Sequence, residues 1–564
     1  MTQPTPAIVS QEAVRRLPRV ALLLLCVAYV VPGFIGREPW KNADIAAFGD
    51  MFELARGHAS WLAPKLLGQP PEFDALLPYW LGAWAIQLAP SWVPPDFAAR
   101  IPFVALLALT LLATWYGVYS LARSPQAQPV PFAFGGEANP VDYARAIADG
   151  GLLALLACLG LAQLSHETTP ALAQVSFTAL SFYGMAALPR QPASAGISVL
   201  AGLSGLALSG APAMAALFGI GGMALTAFDR DELGQGADRT RGRHSLAVLG
   251  GALLVAIVMA STLGLWRWRV NQSTLEIDWR GLGRLMIWFT WPAGPLALWT
   301  LWRWRRQLTS RHVALPSWFA VVAIITTWVT PSSERSLLLA LPALSALAAF
   351  SLPTLRRSVA ALIDWFTLLF FSGCALIIWV VWISMQTGVP PKPAANVARL
   401  APGFEPSFSV VAFAAALAAT IAWAWLVRWR TGRHRMAIWK SLVLPAGGAA
   451  LCWLLLMTLW LPALDYARAY SPLVRNVKKY IDAPGCIEVL GLTRAQLTAF
   501  RYHGAMDLRN ARREATCPWL LAAAPLQPAM SIAIDMSEWK LVATIRRPTD
   551  SNENVVLYRR AAHR

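Results

Sequence analysis

The sequence predicts an all-α polytopic membrane protein with about 13 transmembrane helices, followed by a small C-terminal soluble α/β domain. Hydrophobic residues make up 56% of the 564 residues and charged residues only 14%, and the chain contains 27 Trp. This composition is far too apolar for a soluble fold of that length. The apolar residues are grouped in long segments, and the composition changes to that of a soluble domain near residue 465.

Segments of about 17 to 25 apolar residues are expected to cross the bilayer as helices, because hydrocarbon offers the backbone N–H and C=O groups no other partners. About thirteen segments fit. They cover residues 19–36, 101–122, 151–165, 170–188, 194–209, 212–228, 245–265, 285–303, 314–331, 337–353, 360–384, 408–427 and 441–461. No small-residue cleavage site follows the first segment, so we expect a retained anchor rather than a signal peptide.

The distribution of lysine and arginine predicts the orientation of these spans in the membrane. With the N-terminus in the cytoplasm, 21 of the 48 Lys and Arg residues lie on the cytoplasmic side of the spans and 12 in the opposite loops. An odd number of spans then places the C-terminal region on the outer side. The net charge of +18 comes from clusters at the ends of apolar segments, which is typical of membrane anchors, so we expect no nucleic-acid partner.

The chain therefore divides into a transmembrane domain over residues 1–464 and a soluble domain over residues 465–564. In the soluble domain, Ser471 to Tyr480 predicts a helix, and four runs predict strands: 487–490, 519–522, 540–545 and 555–558. Four of the six cysteines lie inside apolar segments. Only Cys486 and Cys517 are candidates for a disulfide, which an oxidising compartment would allow but which the sequence does not require.

The first outward loop, residues 37–81, is the long polar stretch between the first two strongly apolar segments. Residues 43–56 and 76–88 have the spacing or aromatic content of helices lying on the membrane surface. The loop combines carboxylates, cations and aromatic rings, which suits an anionic sugar lipid at a membrane surface. These residues are Glu38, Asp44, Glu72 and Asp74; Arg37, Lys41 and Lys65; and Trp40, Trp61, Tyr79 and Trp80.

Two further charged pairs face the same side as this loop. His166 and Glu167 follow the third span, and a carboxylate beside a histidine can bind a divalent ion or tune a proton acceptor, although two ligands fall short of a complete metal site. The alternative is a solvated helix end. Glu334 and Arg335 lie where the ninth and tenth spans meet the outer face, as a substrate contact or an interfacial salt bridge.

Several strings resemble a known signature. Asp44 is followed by Ser60, Trp61 and Pro64, then by Leu77 to Leu81 (LPYWL) and Ala98 to Pro102 (AARIP), with weaker matches at Gly202 to Leu208 and Ser333 to Leu337. This pattern resembles the GT-C membrane glycosyltransferases, in particular the protein O-mannosyltransferase and lipid A aminoarabinose transferase group. The resemblance covers most of the chain at low stringency and is most specific in the first loop.

The resemblance implies a multi-pass protein of the bacterial inner membrane that moves a sugar from a polyprenyl-phosphate donor to a periplasmic lipid, glycan or protein acceptor. Asp44 aligns with the family's catalytic acid and would be the base of an inverting single displacement. The predicted substrate-binding residues are Arg37, Lys41, Glu72, Asp74, Tyr79, Arg100, His166, Glu167 and Arg335. No cofactor is certain, and a divalent metal remains open.

Three departures from the family pattern matter. Ile45 follows Asp44 where many relatives have Glu. Asp74 and the two residues after it stand where related transferases carry a phosphate-binding Lys. Gly210 stands in place of a Lys before Gly-Pro. The phosphate-binding cations would therefore be Lys41, Arg37, Arg100 or Arg335. These departures also support an alternative, a degenerate, non-catalytic protein of the same fold that binds lipid-linked sugar or acts as an assembly partner.

A transporter is the third interpretation. It predicts ionisable residues in the middle of the spans. The predicted spans contain almost none apart from Asp364 near the inner end of its helix, so we rank transport last.

Overall fold

The computed structural model of the protein describes residues 5–228, 237–266, 279–330, 333–432, 437–481, 485–514, 516–524 and 534–561. Within these ranges the chain is mainly helical, and a small sheet follows the last long helix.

Fourteen helices form the first part of the structure. They are α1 (Arg19–Val30), α2 (Ala43–Ala55), α3 (Leu77–Leu88), α4 (Pro95–Ala122), α5 (Pro140–Ala157), α6 (Leu161–Leu164), α7 (Pro170–Ala187), α8 (Pro192–Leu208), α9 (Pro212–Phe228), α10 (Ala237–Thr262), α11 (Trp279–Thr290), α12 (Ala293–Arg303), α13 (Arg311–Val329) and α14 (Ser333–Leu338). Eight more follow: α15 (Leu341–Ser351), α16 (Arg357–Thr387), α17 (Pro391–Leu400), α18 (Val410–Thr431), α19 (Val443–Leu459), α20 (Leu461–Arg468), α21 (Ser471–Lys478) and α22 (Arg494–Tyr502).

The prediction of a polytopic helical membrane protein is confirmed. In the described ranges six helical stretches are long and apolar enough to cross a membrane: 95–122, 242–262, 311–329, 357–387, 410–431 and 438–459. Four shorter apolar stretches also occur, at 19–30, 192–208, 212–228 and 341–354. Each predicted span overlaps a helix, but the number of thirteen membrane crossings stays a prediction.

Several predicted spans have different boundaries in the structure, and two of them differ most. The segment predicted over 285–303 is two helices, α11 and α12, which meet at Pro292. Proline lacks an N–H group and its ring clashes with the preceding turn, so it interrupts a helix. The segment predicted over 151–165 begins at Pro140 as part of α5 and ends at Ala157.

Small residues allow some of these helices to approach closely. A Cβ atom added to Gly202 of α8 would lie 2.7 Å from the backbone nitrogen of Ser181 in α7. A larger side chain would therefore separate the two helices. Close packing through small residues is the usual way in which helices associate where lipid provides no hydrophobic driving force.

In the part of the C-terminal region that the structure describes, the sheet has five strands: β1 (Ile487–Leu490), β2 (Leu508–Asn510), β3 (Trp519–Ala523), β4 (Trp539–Arg547) and β5 (Asp550–Arg560). Their spatial order is β2-β1-β3-β5-β4. The strand β1 is parallel to β2 and β3, and β5 is antiparallel to β3 and β4. All four predicted strands are present, whereas α22 and β2 were not predicted.

Cys486 and Cys517 form a disulfide with a Cα to Cα distance of 5.2 Å. The bond joins the residue before β1 to the segment before β3. It thus links the starts of two neighbouring parallel strands.

The C-terminal domain packs directly on the first loop. Ile45 of α2 and Leu66 are buried within the hydrophobic core of that domain. Helix α22 covers the polar face of α2, where Arg494 pairs with Asp50 and Arg501 pairs with Glu53 at 2.5 Å. The loop and the C-terminal domain therefore share one core and a set of ion pairs.

The Arg494–Asp50 pair predicts a large effect of Arg494→Met. The two side chains are 9% and 2% exposed, so the substitution leaves the Asp50 carboxylate buried without its cation. We expect a loss of about 3–5 kcal/mol in the stability of domain docking. Thermal unfolding and protease sensitivity of the purified protein measure this loss.

The matched control is Arg509→Met, which breaks an Arg509–Asp507 pair whose side chains are 59% and 57% exposed. Exposed pairs contribute at most about 1 kcal/mol. Equal stability of the two variants would show that the Arg494 pair does not hold the domain in place.

Candidate active site

The centre of the candidate site is a buried ion pair between Arg37 and Asp44. The Arg37 Nη2 to Asp44 Oδ2 distance is 2.6 Å, and the side chains are 0% and 1% exposed. Arg37 follows the end of α1, and Asp44 lies in the first turn of α2. The tight connection includes Asn42, which has a positive φ of 69°.

Asp44 accepts four hydrogen bonds. Its Oδ2 accepts from Arg37 and from the backbone N–H of Trp40 at 3.0 Å. Its Oδ1 accepts from the backbone N–H of Thr168 at 2.8 Å and from the Thr168 hydroxyl at 2.7 Å. Burial raises the pKa of Asp44, but the charges of Arg37 and Arg100 and these hydrogen bonds outweigh burial and leave the pKa below its ordinary value. Asp44 is therefore an ionised carboxylate that joins α2 to the segment before α7.

Arg37 also has hydrogen-bonding capacity left over. Its Nη2 donates to Asp44 and, at 2.9 Å, to the backbone carbonyl of His166. Its Nε and Nη1 are shielded from solvent and have no hydrogen-bond partner in the described part of the chain. Buried donors without acceptors are costly, so an acceptor group placed beside Nε and Nη1 would stabilise this arrangement.

Trp40 carries two guanidinium groups over its ring. The Cζ atom of Arg37 lies 4.5 Å from the ring centroid, and that of Arg468 at the end of α20 lies 5.0 Å from it. The indole N–H donates to Asp465 Oδ1 at 2.6 Å. Burial raises the pKa of Asp465 to about 7, and the charge of the nearby Glu38 adds to this effect. Loop one and α20 thus build the site together.

Glu167 is the second carboxylate of the cluster. It is 6% exposed, accepts from Gln163 at 3.4 Å, and pairs with Arg335 of α14 at 3.3 Å. Burial raises the pKa of Glu167 above its ordinary value, and the negative charge of Asp44 raises it further, while Arg335 and Arg37 offset part of the increase. Asp44 and Glu167 therefore have pKa values shifted in opposite directions.

The His166 ring lies in the packed interior and not in an open site. It is fully buried, and its Nε2 faces the carbonyl oxygen of Tyr29 at 3.1 Å. The rings of Phe34 and Trp453 lie 4.9 Å and 4.7 Å from it. Burial lowers the pKa of His166 to about 4, so the ring is neutral at neutral pH. Its contact with the cluster is the backbone carbonyl that accepts from Arg37.

Two predicted phosphate-binding cations are engaged in other interactions. Lys41 forms a 2.9 Å ion pair with Asp550 at the start of β5. Arg100 pairs with Asp96 at 3.2 Å and donates to the backbone carbonyl of Arg37. Arg100 therefore supports the backbone beneath the site, and Lys41 connects loop one to the C-terminal sheet.

The remaining predicted residues lie in the second half of loop one. The Tyr79 hydroxyl donates to the carbonyl of Phe73 at 3.2 Å, and its side chain is buried. Asp74 is half-buried beside Gly210, and Glu72 is exposed. The predicted substrate contacts of these three residues stay predictions.

Three residues of the cluster were not predicted: Thr168, Asp465 and Arg468. Thr168 directly follows the predicted Glu167. Asp465 and Arg468 are three residues apart on α20 and so share a face, but they mark the boundary at which the sequence suggested a separate domain. A cavity of about 320 Å³ lies beside Asp465 and is also lined by Glu38, Glu405, Tyr466 and Arg475.

No group of three or more His, Cys, Asp or Glu side chains suited to a metal ion occurs within the described ranges. These residues therefore offer no candidate site for the divalent metal that the sequence left open.

The fold is similar to that of solved membrane proteins. The crystal structure of ArnT from Cupriavidus metallidurans bound to undecaprenyl phosphate is 12% identical, with a TM-score of 0.59, and the match covers 97% of this chain and 99% of that one. The apo structure of the same protein is 14% identical, with a TM-score of 0.55 and coverage of 96% of each chain. No family model and no curated protein sequence matches. The resemblance inferred from the sequence is confirmed at the level of the fold.

Asp465 predicts a pH-dependent stability. The folded protein binds a proton at Asp465 between the ordinary pKa near 3.8 and about 7, whereas the unfolded chain does not. Stability therefore falls as the pH rises through this window, by about 2 kcal/mol between pH 5.5 and pH 8.

Asp465→Asn tests this directly, because an amide oxygen can still accept from Trp40 but carries no charge. Melting temperatures at pH 5.5 and pH 8 should differ less in the variant than in the wild type. The same difference in both proteins would contradict the assignment.

Proposed function

We propose that the protein is a glycosyltransferase of the bacterial inner membrane that moves a sugar from a polyprenyl-phosphate donor to a lipid, glycan or protein acceptor at the periplasmic face. The observation that carries the proposal is the buried Arg37 guanidinium, which pairs with Asp44 and acts electrostatically on Glu167, while its Nε and Nη1 have no hydrogen-bond partner among the described residues. The similarity in fold to a protein solved with undecaprenyl phosphate bound supports the choice of donor.

Arginines Arg37, Arg468 and Arg335 would hold the donor phosphate. The Nε of Arg335, like two nitrogens of Arg37, is shielded and lacks a partner among the described residues. The Cζ atoms of Arg37 and Arg468 lie 4.5 Å and 5.0 Å from the centroid of the same tryptophan ring, that of Trp40. Fixed cations in a site that excludes water stabilise the charge that develops on the leaving phosphate without reorganising. They replace the lysines found in related transferases at the positions of Asp74 and Gly210.

Asp44 and Glu167 are the two carboxylates that could take the acceptor proton. Their hydrogen bonds and pKa shifts decide which of them is the better base. Asp44 has all its acceptor positions occupied and a lowered pKa, both of which make it a poor proton acceptor. Glu167 has a raised pKa and, among the described residues, two side-chain contacts, at 3.3 Å and 3.4 Å. A base works best when its pKa lies near the working pH. We therefore assign proton transfer to Glu167, and to Asp44 the placement of Arg37 and Thr168.

The proposed reaction is a single displacement. The acceptor oxygen attacks the anomeric carbon of the sugar, and the bond from this carbon to the phosphate oxygen breaks. The electron pair leaves with the polyprenyl phosphate, which the arginines hold, and the acceptor proton passes to Glu167. One displacement inverts the anomeric centre. The cavity of about 320 Å³ next to Asp465 has the size to take part of an acceptor.

The pH dependence of transfer distinguishes the two carboxylates. If Glu167 is the base, the rate falls as the pH drops through a pKa above the ordinary value of 4.5 for Glu, because the carboxylate must be ionised. Glu167→Gln should lower the rate by roughly 10²- to 10⁴-fold and remove this acid limb. Steady-state transfer between pH 4 and pH 8 measures both effects.

Asp44→Asn is the companion variant. It weakens the contact with Arg37 and removes a negative charge that raises the pKa of Glu167, so we expect weaker donor binding and slower transfer, with an acid limb that persists but moves to lower pH. An acid limb that survives in Glu167→Gln but disappears in Asp44→Asn would return the role of base to Asp44, as the sequence suggested.

The proposal also predicts the membrane topology. The N-terminus is cytoplasmic, and the C-terminal domain lies in the periplasm together with loop one, which it contacts. A reporter that is active only in the periplasm should be active when fused after Arg564, and inactive when fused after Arg123 at the end of α4. The reverse pattern would contradict the proposed location.

A further inference from the structure

We infer that the turn between β4 and β5 is a positioning element of the transfer centre. Arg547, Thr549 and Asp550 hold the end of α20 against loop one, so that Arg468 stays on the ring of Trp40. This inference rests on the proposed function and deepens it, since it makes the C-terminal domain a part of the donor site.

The first contact is with the carbonyl groups at the end of α20. Arg547 is 4% exposed, and its Nη2 lies 3.2 Å, 3.2 Å and 3.3 Å from the carbonyl oxygens of Ala467, Arg468 and Ala469. The Thr549 hydroxyl donates to the Ala467 carbonyl at 2.8 Å. The last carbonyls of a helix have no partners within the helix, and a cation there also complements the helix dipole. The turn thus fixes the end of α20 at the residue that carries the guanidinium.

The second contact joins the same turn to loop one. Lys41 pairs with Asp550 at 2.9 Å through its ammonium group. Its backbone N–H donates to the carbonyl of Arg468 at 2.8 Å. The residue after Trp40 is therefore held both by the turn and by Arg468 itself.

These contacts matter because Arg468 has little else to fix its position. Within the described ranges no carboxylate lies within ion-pair distance of its guanidinium, which rests on Trp40 at 5.0 Å. Arg37, by comparison, is fixed by Asp44. Where side-chain contacts are few, the position of the guanidinium depends on its backbone, and the turn controls that backbone.

Binding of undecaprenyl phosphate to the purified full chain in phospholipid nanodiscs tests the inference. We expect about tenfold weaker binding for Arg468→Gln, which loses one charged contact to the phosphate. Arg547→Lys keeps the charge but cannot reach three carbonyls, and Thr549→Val removes one hydroxyl with little change of shape. Each should weaken binding roughly threefold or more, with unchanged melting temperature for Thr549→Val. Arg509→Met, an exposed site in the same domain, is the control.

The double variant Arg468→Gln, Arg547→Lys distinguishes a positioning role of Arg547 from a general loss of structure. If Arg547 acts through Arg468, then Arg547→Lys should have no further effect on binding in the Arg468→Gln background. Additive losses would overturn the inference, and so would wild-type affinity in both Arg547→Lys and Thr549→Val.

The same binding measurements distinguish failure of this inference from failure of the proposed function. If Arg468→Gln binds undecaprenyl phosphate as tightly as the wild type, Arg468 does not contact the donor and the inference is overturned, while donor turnover still tests the function. If the wild type does not bind undecaprenyl phosphate at all, the proposed function and the inference both fail.

Discussion

The buried pair of Arg37 and Asp44 is the interaction on which the rest of the site depends. Removing two charges from water costs several kcal/mol for each ion, and only good geometry with further hydrogen bonds offsets this cost. Asp44 meets this condition with four accepted hydrogen bonds. Arg37 does not, because two of its nitrogens have no partner among the described residues. The missing hydrogen bonds are therefore those of the cation, and an anionic ligand would supply acceptors for them.

The ion pair also explains how three distant parts of the chain meet. Asp44 joins loop one to Thr168, and Arg37 joins the same loop to the carbonyl of His166. The indole of Trp40 continues the connection to Asp465, at the start of the soluble region. The apolar helices supply a rigid scaffold, and the polar chemistry lies in the segments that connect them, as it does in many enzymes. The C-terminal domain then closes over loop one and shares a core with it.

Local patterns predicted much of the fold and one part of the site. Apolar segments predicted the helices, and short β-branched runs predicted four strands, because both signals depend on neighbouring residues. Loop one was recognised from its carboxylates, cations and aromatic rings. The partners of these residues could not be predicted in the same way. Asp465 lies 427 positions from Glu38, and whether Lys41 pairs with Asp550 or with a phosphate depends on a contact that no local pattern encodes. His166 shows the same limit, since its burial follows from α1 and α19 packing around it.

The central claim is that the arginines around Trp40 hold the phosphate of a polyprenyl-linked sugar while the sugar is transferred. The most direct test is the release of free polyprenyl phosphate from a panel of polyprenyl-phosphate sugars by the purified protein in lipid, with Arg37→Met beside the wild type. We predict release by the wild type, including slow hydrolysis without acceptor, and loss of release in the variant. Equal release by both proteins, or donors that bind and are never cleaved, would contradict the claim, and the second result would favour a non-catalytic lipid-binding protein.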